Sequence, residues 1–337
     1  MNTVRWGLIS TANINRKLIP AIRASRRGTL QAVASRSAAR AEAYAREWSI
    51  PHSYGSYQDL LKSGDVDAVY ISLPNHLHAA WTIKALEAGL HVLCEKPLAL
   101  SLAEVDAMIE ASRKTDRALA EAFMYRHHPQ TRLVGDWVRS GKLGEVTVIR
   151  GTFDFYLGEG QRNQENLNVR LVPEYGGGSL WDVGVYPVSF AQYLMGGPPQ
   201  WVCGAQQLGP TGIDETFHGQ MGYGHSPGRG PVAQFSSSFQ TPFHTYLEVV
   251  GSAGRLHLTR PFTHLSQGLR LTFTPREGEP RDIPVPEQDL YLGEVQDLNE
   301  AILEGREPYL GLEESRGHIQ TVLALYQSAR QGQVARL

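Results

Sequence analysis

Short apolar runs alternate with stretches of helical period through the first third of the chain. Thr3–Ile9 is one such run, and Asn13–Arg26 then carries Ile14, Leu18 and Ile22 at helical spacing. Leu30–Ser35 predicts a second strand, and Ala38–Glu47, rich in Ala, Arg and Glu, predicts a helix. Ser56 followed by Asp59 reads as a capping-box variant before a short helix. Asp67–Leu73 has a buried-strand pattern, and Leu77–Ala88 predicts a helix stopped by Gly89. His91–Cys94 predicts another strand, Ser101 with Glu104 caps a helix through Arg113, and Ala118–Met124 predicts the last strand of the series. Strands alternating with helices imply a parallel, doubly wound α/β sheet.

After about residue 126 the pattern changes. A helix over roughly Pro129–Ser140 precedes a strand, Glu145–Phe155, then a polar stretch, Gly158–Asn168, and the glycine triplet Gly176–Gly178. Ser179–Leu194 predicts a helix. From Gln200 to about Pro284 the chain is a run of β-rich segments broken by Gly and Pro, and two helices close it near Glu287–Glu304 and Leu312–Arg330. Helices flanking a run of strands predict an α+β domain on a large, mostly antiparallel sheet. The expected division is residues 1–125 and 126–337. Gly222–Pro231 reads as a loop between two strands and receives no function.

Composition narrows the function classes. A chain of 337 residues, 42% hydrophobic and 20% charged, is an ordinary globular balance for two domains. A net charge of -2 argues against a nucleic-acid or anionic-membrane partner. The two cysteines, Cys94 and Cys203, lack metal spacing and argue against a disulfide framework. No apolar run is long enough to span a bilayer, and the start lacks the pattern of a signal peptide, so the expected location is cytoplasmic.

The first strand–turn–helix unit is where a doubly wound fold seats a dinucleotide pyrophosphate. The turn is Ser10-Thr11-Ala12-Asn13-Ile14-Asn15. The three-glycine fingerprint is absent, because Ser10, Ala12 and Asn15 occupy its places and Gly7 lies inside the strand. Ala12 still allows close backbone approach, and the Ser10 and Thr11 hydroxyls are candidate phosphate donors. At the end of the second strand an NAD site places a carboxylate for the ribose 2′-hydroxyl. Here stand Ser35, Arg36 and Ser37, with Arg40 one turn on. Guanidinium groups suit a 2′-phosphate that a carboxylate would repel, so the expected cofactor is NADP.

Three segments carry candidate chemistry. Ser72-Leu73-Pro74-Asn75-His76-Leu77-His78 closes a parallel strand at the edge where ligands bind, making Asn75 and the histidines candidate contacts. Two histidines without an acidic or cysteine partner make a poor metal site, and no metal is expected. Glu95-Lys96-Pro97 ends the next strand. The Lys96 ammonium there can donate to a substrate oxygen and stabilise developing alkoxide charge, with Glu95 orienting it. In Gly176–Pro187, Asp182 and Tyr186 lie four apart on one helical face, and a phenol near an ammonium suits carbonyl/alcohol interconversion.

WGLISTANI, AVASRSAARAEAYA, YISLPNHLHAAWTIKALEAGLHVLCEKPLALS, EAFMYRHHPQ and GGGSLWDVGVYP, in that order, resemble the Gfo/Idh/MocA oxidoreductase family. The resemblance implies a Rossmann domain followed by an α+β domain whose open sheet serves as the face of a homodimer or higher oligomer. It puts the family's catalytic lysine on Lys96, the acid–base position on Tyr186 and the accompanying carboxylate on Asp182. Tyrosine rather than histidine at 186 is similar to the glucose–fructose oxidoreductase, dihydrodiol dehydrogenase and sugar-ketoreductase branches, which use NADP. It nominates Tyr125 and Arg126, with Lys96, Asp182 and Tyr186, as substrate contacts and Arg170 as a cofactor contact. The expected cofactor set is Ser10, Thr11, Ala12, Asn13, Ile14, Ser35, Arg36, Arg40, Leu73, Asn75, His78, Glu95, Lys96 and Arg170. The implied activity is hydride transfer on a sugar, keto-sugar or diol. Its competitors are a non-catalytic NADP-binding protein and a sugar–sugar oxidoreductase that holds NADP tightly.

Overall fold

Six short strands, largely buried except for the edge strand His52–Tyr54, form the first sheet. In a computed structural model describing residues 2–163, 167–224, 229–263 and 268–337, they are β1 (Val4–Ile9), β2 (Gly28–Ala34), β3 (His52–Tyr54), β4 (Ala68–Ile71), β5 (His91–Glu95) and β6 (Leu119–Ala122). All pair in parallel, in the order β3-β2-β1-β4-β5-β6. The order reverses between β1 and β4, which opens a ligand crevice at their carboxyl ends. β4 is inaccessible at every residue, as continuous apolar strands covered on both faces must be.

The connecting helices are α1 (Asn15–Ala24), α2 (Ala38–Trp48), α3 (Tyr57–Lys62), α4 (His78–Glu87) and α5 (Leu102–Thr115). Caps set their starts. Ser37, Ser56 and Ser101 accept from the backbone N–H three residues on, and the Glu104 carboxylate accepts from Leu100 N at 3.0 Å. Gly89, at φ +82°, closes α4 in the left-handed conformation that glycine tolerates.

The second sheet has nine strands. With α6 (Pro129–Arg139) and α7 (Val185–Met195) come β7 (Val146–Tyr156), β8 (Trp201–Leu208), β9 (Asp214–Gly222), β10 (Val232–Ser238), β11 (Gln240–Gly251), β12 (Gly254–Leu258), β13 (Leu271–Pro275) and β14 (Arg281–Asp282). Helices α8 (Leu292–Glu304) and α9 (Leu312–Gln331) precede β15 (Ala335–Arg336). The order is β14-β13-β12-β11-β7-β10-β9-β8-β15, antiparallel except for the parallel pair β7–β10. The Gly222–Pro231 loop joins β9 to β10, and its residues 225–228 lie outside those described.

The chain forms two units, and the first is discontinuous: residues through His127 pack with Asp289–Arg316, while His128–Gln288 pack with Gly317–Leu337. The expectation that everything from residue 126 onward forms the second domain is therefore corrected. The reason is the environment of Trp6. Its indole is fully buried in β1, and Nε1–H donates to Asn299 Oδ1 of α8 at 2.9 Å, while Asn299 Nδ2 donates to Ser25 Oγ at 2.8 Å. An unsatisfied buried indole N–H would cost about 1–3 kcal/mol, so β1 needs α8.

Candidate active site

The β1–α1 turn is built around Ser10. Its φ of +120° lies where glycine is at ease, so the fingerprint's first glycine has a conformational reason that this chain meets otherwise. The Ser10 hydroxyl donates to Ser72 O at 3.1 Å and accepts from Ala12 N at 3.1 Å. Ser72 Oγ, 2.9 Å from Ser10 Oγ, donates to Asn15 Oδ1 at 2.7 Å, and Asn15 Nδ2 donates to Ser10 O at 2.8 Å. This buried ring of bonds ties β1 to β4 across the switch point. It corrects one expectation: the Ser10 hydroxyl holds the turn and is not left for a phosphate. α1 begins without a side-chain cap, and the amides of Asn15, Arg16 and Lys17 donate to Ala12 O, Asn13 O and Ile14 O at 3.1, 3.1 and 2.8 Å. Thr11, Ala12, Asn13 and Ile14 are accessible there.

At the end of β2, Ser35 is buried while Arg36 and Arg40 are exposed. Burial raises the pKa of the Tyr57 phenol, and the nearby Arg36 and Arg40 charges oppose the rise. No acidic side chain stands between Ser35 and Arg40. The edge thus carries two cations where a 2′-phosphate sits, and its chemistry fits NADP(H).

The turns after β4 and β5 carry Leu73, Asn75, Glu95 and Lys96. Glu95 accepts from the Tyr70 hydroxyl, whose pKa burial and then the Glu95 charge push well up. Leu98 N donates to the buried Glu121 Oε1 at 2.9 Å. Behind Glu95, burial holds Glu294 of α8 well above the carboxylate range, with Glu95 and Asp289 adding repulsion. Lys96 precedes a cis peptide bond to Pro97 and is partly exposed. His78 departs from expectation: it has no exposed surface, and its ring nitrogens contact Pro97 O and Leu73 O, each at 2.8 Å. It is a fastener of the two turns, not a surface for a cofactor.

In the second unit the glycine triplet allows close packing. A Cβ on Gly177 would stand 2.6 Å from Arg170 O, and Gly178, at φ +130°, would meet Asp214 Oδ1 at 2.2 Å. The buried Asp214 carboxylate instead accepts from Ser179 Oγ at 2.9 Å, Leu180 N at 2.8 Å and the Tyr326 hydroxyl at 2.6 Å. The predicted single helix Ser179–Leu194 is corrected: a π-helical turn, Leu180–Gly184, precedes α7, a feature frequent at functional sites. Gly184 permits it, since a Cβ there would stand 2.8 Å from Leu180 and 2.9 Å from Ser237. Tyr186 opens α7 with its ring against Phe153 and Phe262, at 5.5 and 5.4 Å. Asp182 Oδ2 accepts from Arg170 Nε at 2.6 Å, which pairs the expected carboxylate with the arginine nominated for the cofactor.

Residues 4–123 match the family model described as "Oxidoreductase family, NAD-binding Rossmann fold", and residues 131–257 match the "GFO/IDH/MocA C-terminal domain". The chain belongs to the Gfo/Idh/MocA oxidoreductase family. It is 37% identical over 334 residues to D-xylose 1-dehydrogenase (NADP(+)) 2 of Haloferax volcanii, covering 98% of this chain and 99% of that protein. The aldose–aldose oxidoreductase from Caulobacter crescentus, solved with glycerol, is similar at TM-score 0.89 and 27% identity, over 99% of this chain and 100% of the other. A 3-ketoreductase from Actinomadura kijaniata, solved with NADP and TDP-benzene, is similar at TM-score 0.87 and 28% identity, over 97% and 98%.

Within this Gfo/Idh/MocA chain two nominations change meaning. Tyr125 and Arg126 are 0% and 2% exposed. The Arg126 guanidinium pairs with Glu314 and lies 5.7 Å over the Tyr309 ring. Glu121, Glu294, Tyr70 and Asp214 are the supports that sequence reasoning missed. The Asp214 support is hidden from local reasoning because it reaches Ser179 from a strand 35 positions along.

Proposed function

We propose that this enzyme is an NADP(H)-dependent oxidoreductase acting on a CH–OH/C=O group of a sugar, keto-sugar or diol, with Lys96 and Tyr186 as its catalytic pair. The observation that supports it most is the Lys96 turn at the carboxyl edge of β5, held by buried bonds from Tyr70, His78 and Glu121. A flexible surface lysine has no need of such fastening; an ammonium that must meet a reacting oxygen does. When bound, NADP(H) accepts or supplies the hydride. Lys96 donates a hydrogen bond to the substrate oxygen and stabilises its developing charge. Tyr186 takes the hydroxyl proton during oxidation and returns it during reduction. Asp182, already bonded to Arg170, orients substrate hydroxyls. Homo-oligomerisation through the nine-stranded sheet belongs to the same reading.

Purified protein with NADP+ and a panel of aldoses, anhydro-sugars and trans-dihydrodiols, or with NADPH and keto-sugars, tests the reading by absorbance. Turnover of at least one member, with NADP(H) preferred to NAD(H), is expected; none in either direction would sink it. The resemblance to an aldose–aldose oxidoreductase favours one variant, in which cofactor survives purification and turnover requires two sugars.

The cofactor half has its own test. Arg36→Ala should lower kcat/KM for NADP+ by about 10- to 100-fold, the effect of losing one or two charge-assisted bonds, and leave NAD+ within about threefold. Equal losses with both cofactors would remove Arg36 from 2′-phosphate recognition.

A further inference from the structure

We infer that His78 is a positioning residue for Lys96, coupling the turn after β4 to the turn that carries the lysine. The inference rests on the proposed role of Lys96 and adds a role for a side chain outside the reacting groups. His78 opens α4 with no exposed surface. Its Nε2 lies 2.8 Å from Leu73 O, in the turn after β4, and its Nδ1 2.8 Å from Pro97 O, the residue after Lys96. One rigid ring therefore spans two carbonyls on adjacent strand ends. Both carbonyls lie in the segments that bear the candidate site, Leu73–Asn75 on one side and Glu95–Pro97 on the other.

The alternatives for so buried an imidazole are weaker. As a cofactor ligand it has no accessible atom. As a space-filler it needs no polar contacts, and an apolar side chain would avoid the cost of burying two ring nitrogens. The ring's geometry has a use only if the separation of the two turns matters. The imidazolium donates to both carbonyls at once and the neutral ring to one. Glu121 holds the next link, Leu98 N, from the other side at 2.9 Å. Displacing the Lys96 backbone by about 1 Å is enough to cost about 100-fold in turnover.

The test compares His78→Phe, which keeps a flat ring without donors, with His78→Gln, whose single amide nitrogen offers two N–H donors. His78→Phe should lose about 30- to 300-fold in kcat while NADPH affinity stays within about threefold. His78→Gln should recover at least tenfold of that loss. Should His78→Phe not fold, the smaller donor-free His78→Leu replaces it. A cycle with Lys96→Ala gives the deciding readout: if His78 acts through Lys96, the double variant is no slower than Lys96→Ala alone. Multiplying losses, a His78→Phe enzyme with unchanged kcat, a loss confined to NADPH affinity, or equal impairment of Phe and Gln would each overturn the inference. Wild-type turnover in Lys96→Ala would overturn the catalytic reading and this inference together. An inactive Lys96→Ala beside an unaffected His78→Phe would overturn this inference alone.

Discussion

Lys96→Ala is expected to bind NADPH with an affinity within about threefold of wild type and to lose about 1,000-fold in kcat, the scale on which removal of one preorganised donor to a developing oxyanion is felt. The turn should survive, because its fastenings stay in place: the Tyr70 hydroxyl on Glu95, the His78 ring on Pro97 O and the Glu121 carboxylate on Leu98 N. Pre-steady-state absorbance and NADPH fluorescence separate chemistry from binding. A loss seen in KM with kcat intact would make Lys96 a ground-state binding residue instead. Unchanged turnover would remove it from the reaction altogether.

Tyr186→Phe is expected to lower kcat by about 100- to 10,000-fold, the usual worth of a positioned acid–base group. It removes one oxygen and keeps the ring, whose contacts with Phe153 at 5.5 Å and Phe262 at 5.4 Å anchor the start of α7. The melting temperature should therefore move little while activity collapses. The variant should also lose whatever limb of the wild-type pH–rate profile reports the phenol. A full pH profile at near-wild-type rate would show that another group carries the proton.

Much of the first unit was legible in the chain because its information is local. Apolar runs of strand length, serine caps and the Gly89 stop lie within a few residues of what they control. Lys96 was legible for the same reason, as a charged residue at a strand end next to proline. What was hidden depends on distant partners. Ser10 reads as a departure from a glycine motif, yet its hydroxyl is committed to Ser72 O, 62 positions along. His78 reads as a ligand because nothing nearby reveals that Leu73 O and Pro97 O enclose it. The ion pair of Arg126 was hidden because its carboxylate, Glu314, lies 188 positions away. The π-helical turn was invisible for another reason. Its causes are the missing Cβ of Gly184 against Ser237 and an aspartate on β9, and neither alters the apolar periodicity of the segment.

The return of residues 289–316 to the first unit sets the order in which the protein can mature. A ribosome delivers β1 through β6 long before α8 exists. During that interval the Trp6 indole waits for Asn299, and Arg126 waits for Glu314. Contacts separated by 293 positions close late and with a large loop entropy, so the nucleotide-binding half begins to form first but is completed among the last. The intervening half must fold within that loop, so the Trp6 and Arg126 contacts close after the Lys96 turn, whose fastenings from Tyr70, His78 and Glu121 all lie in the first stretch of chain to emerge.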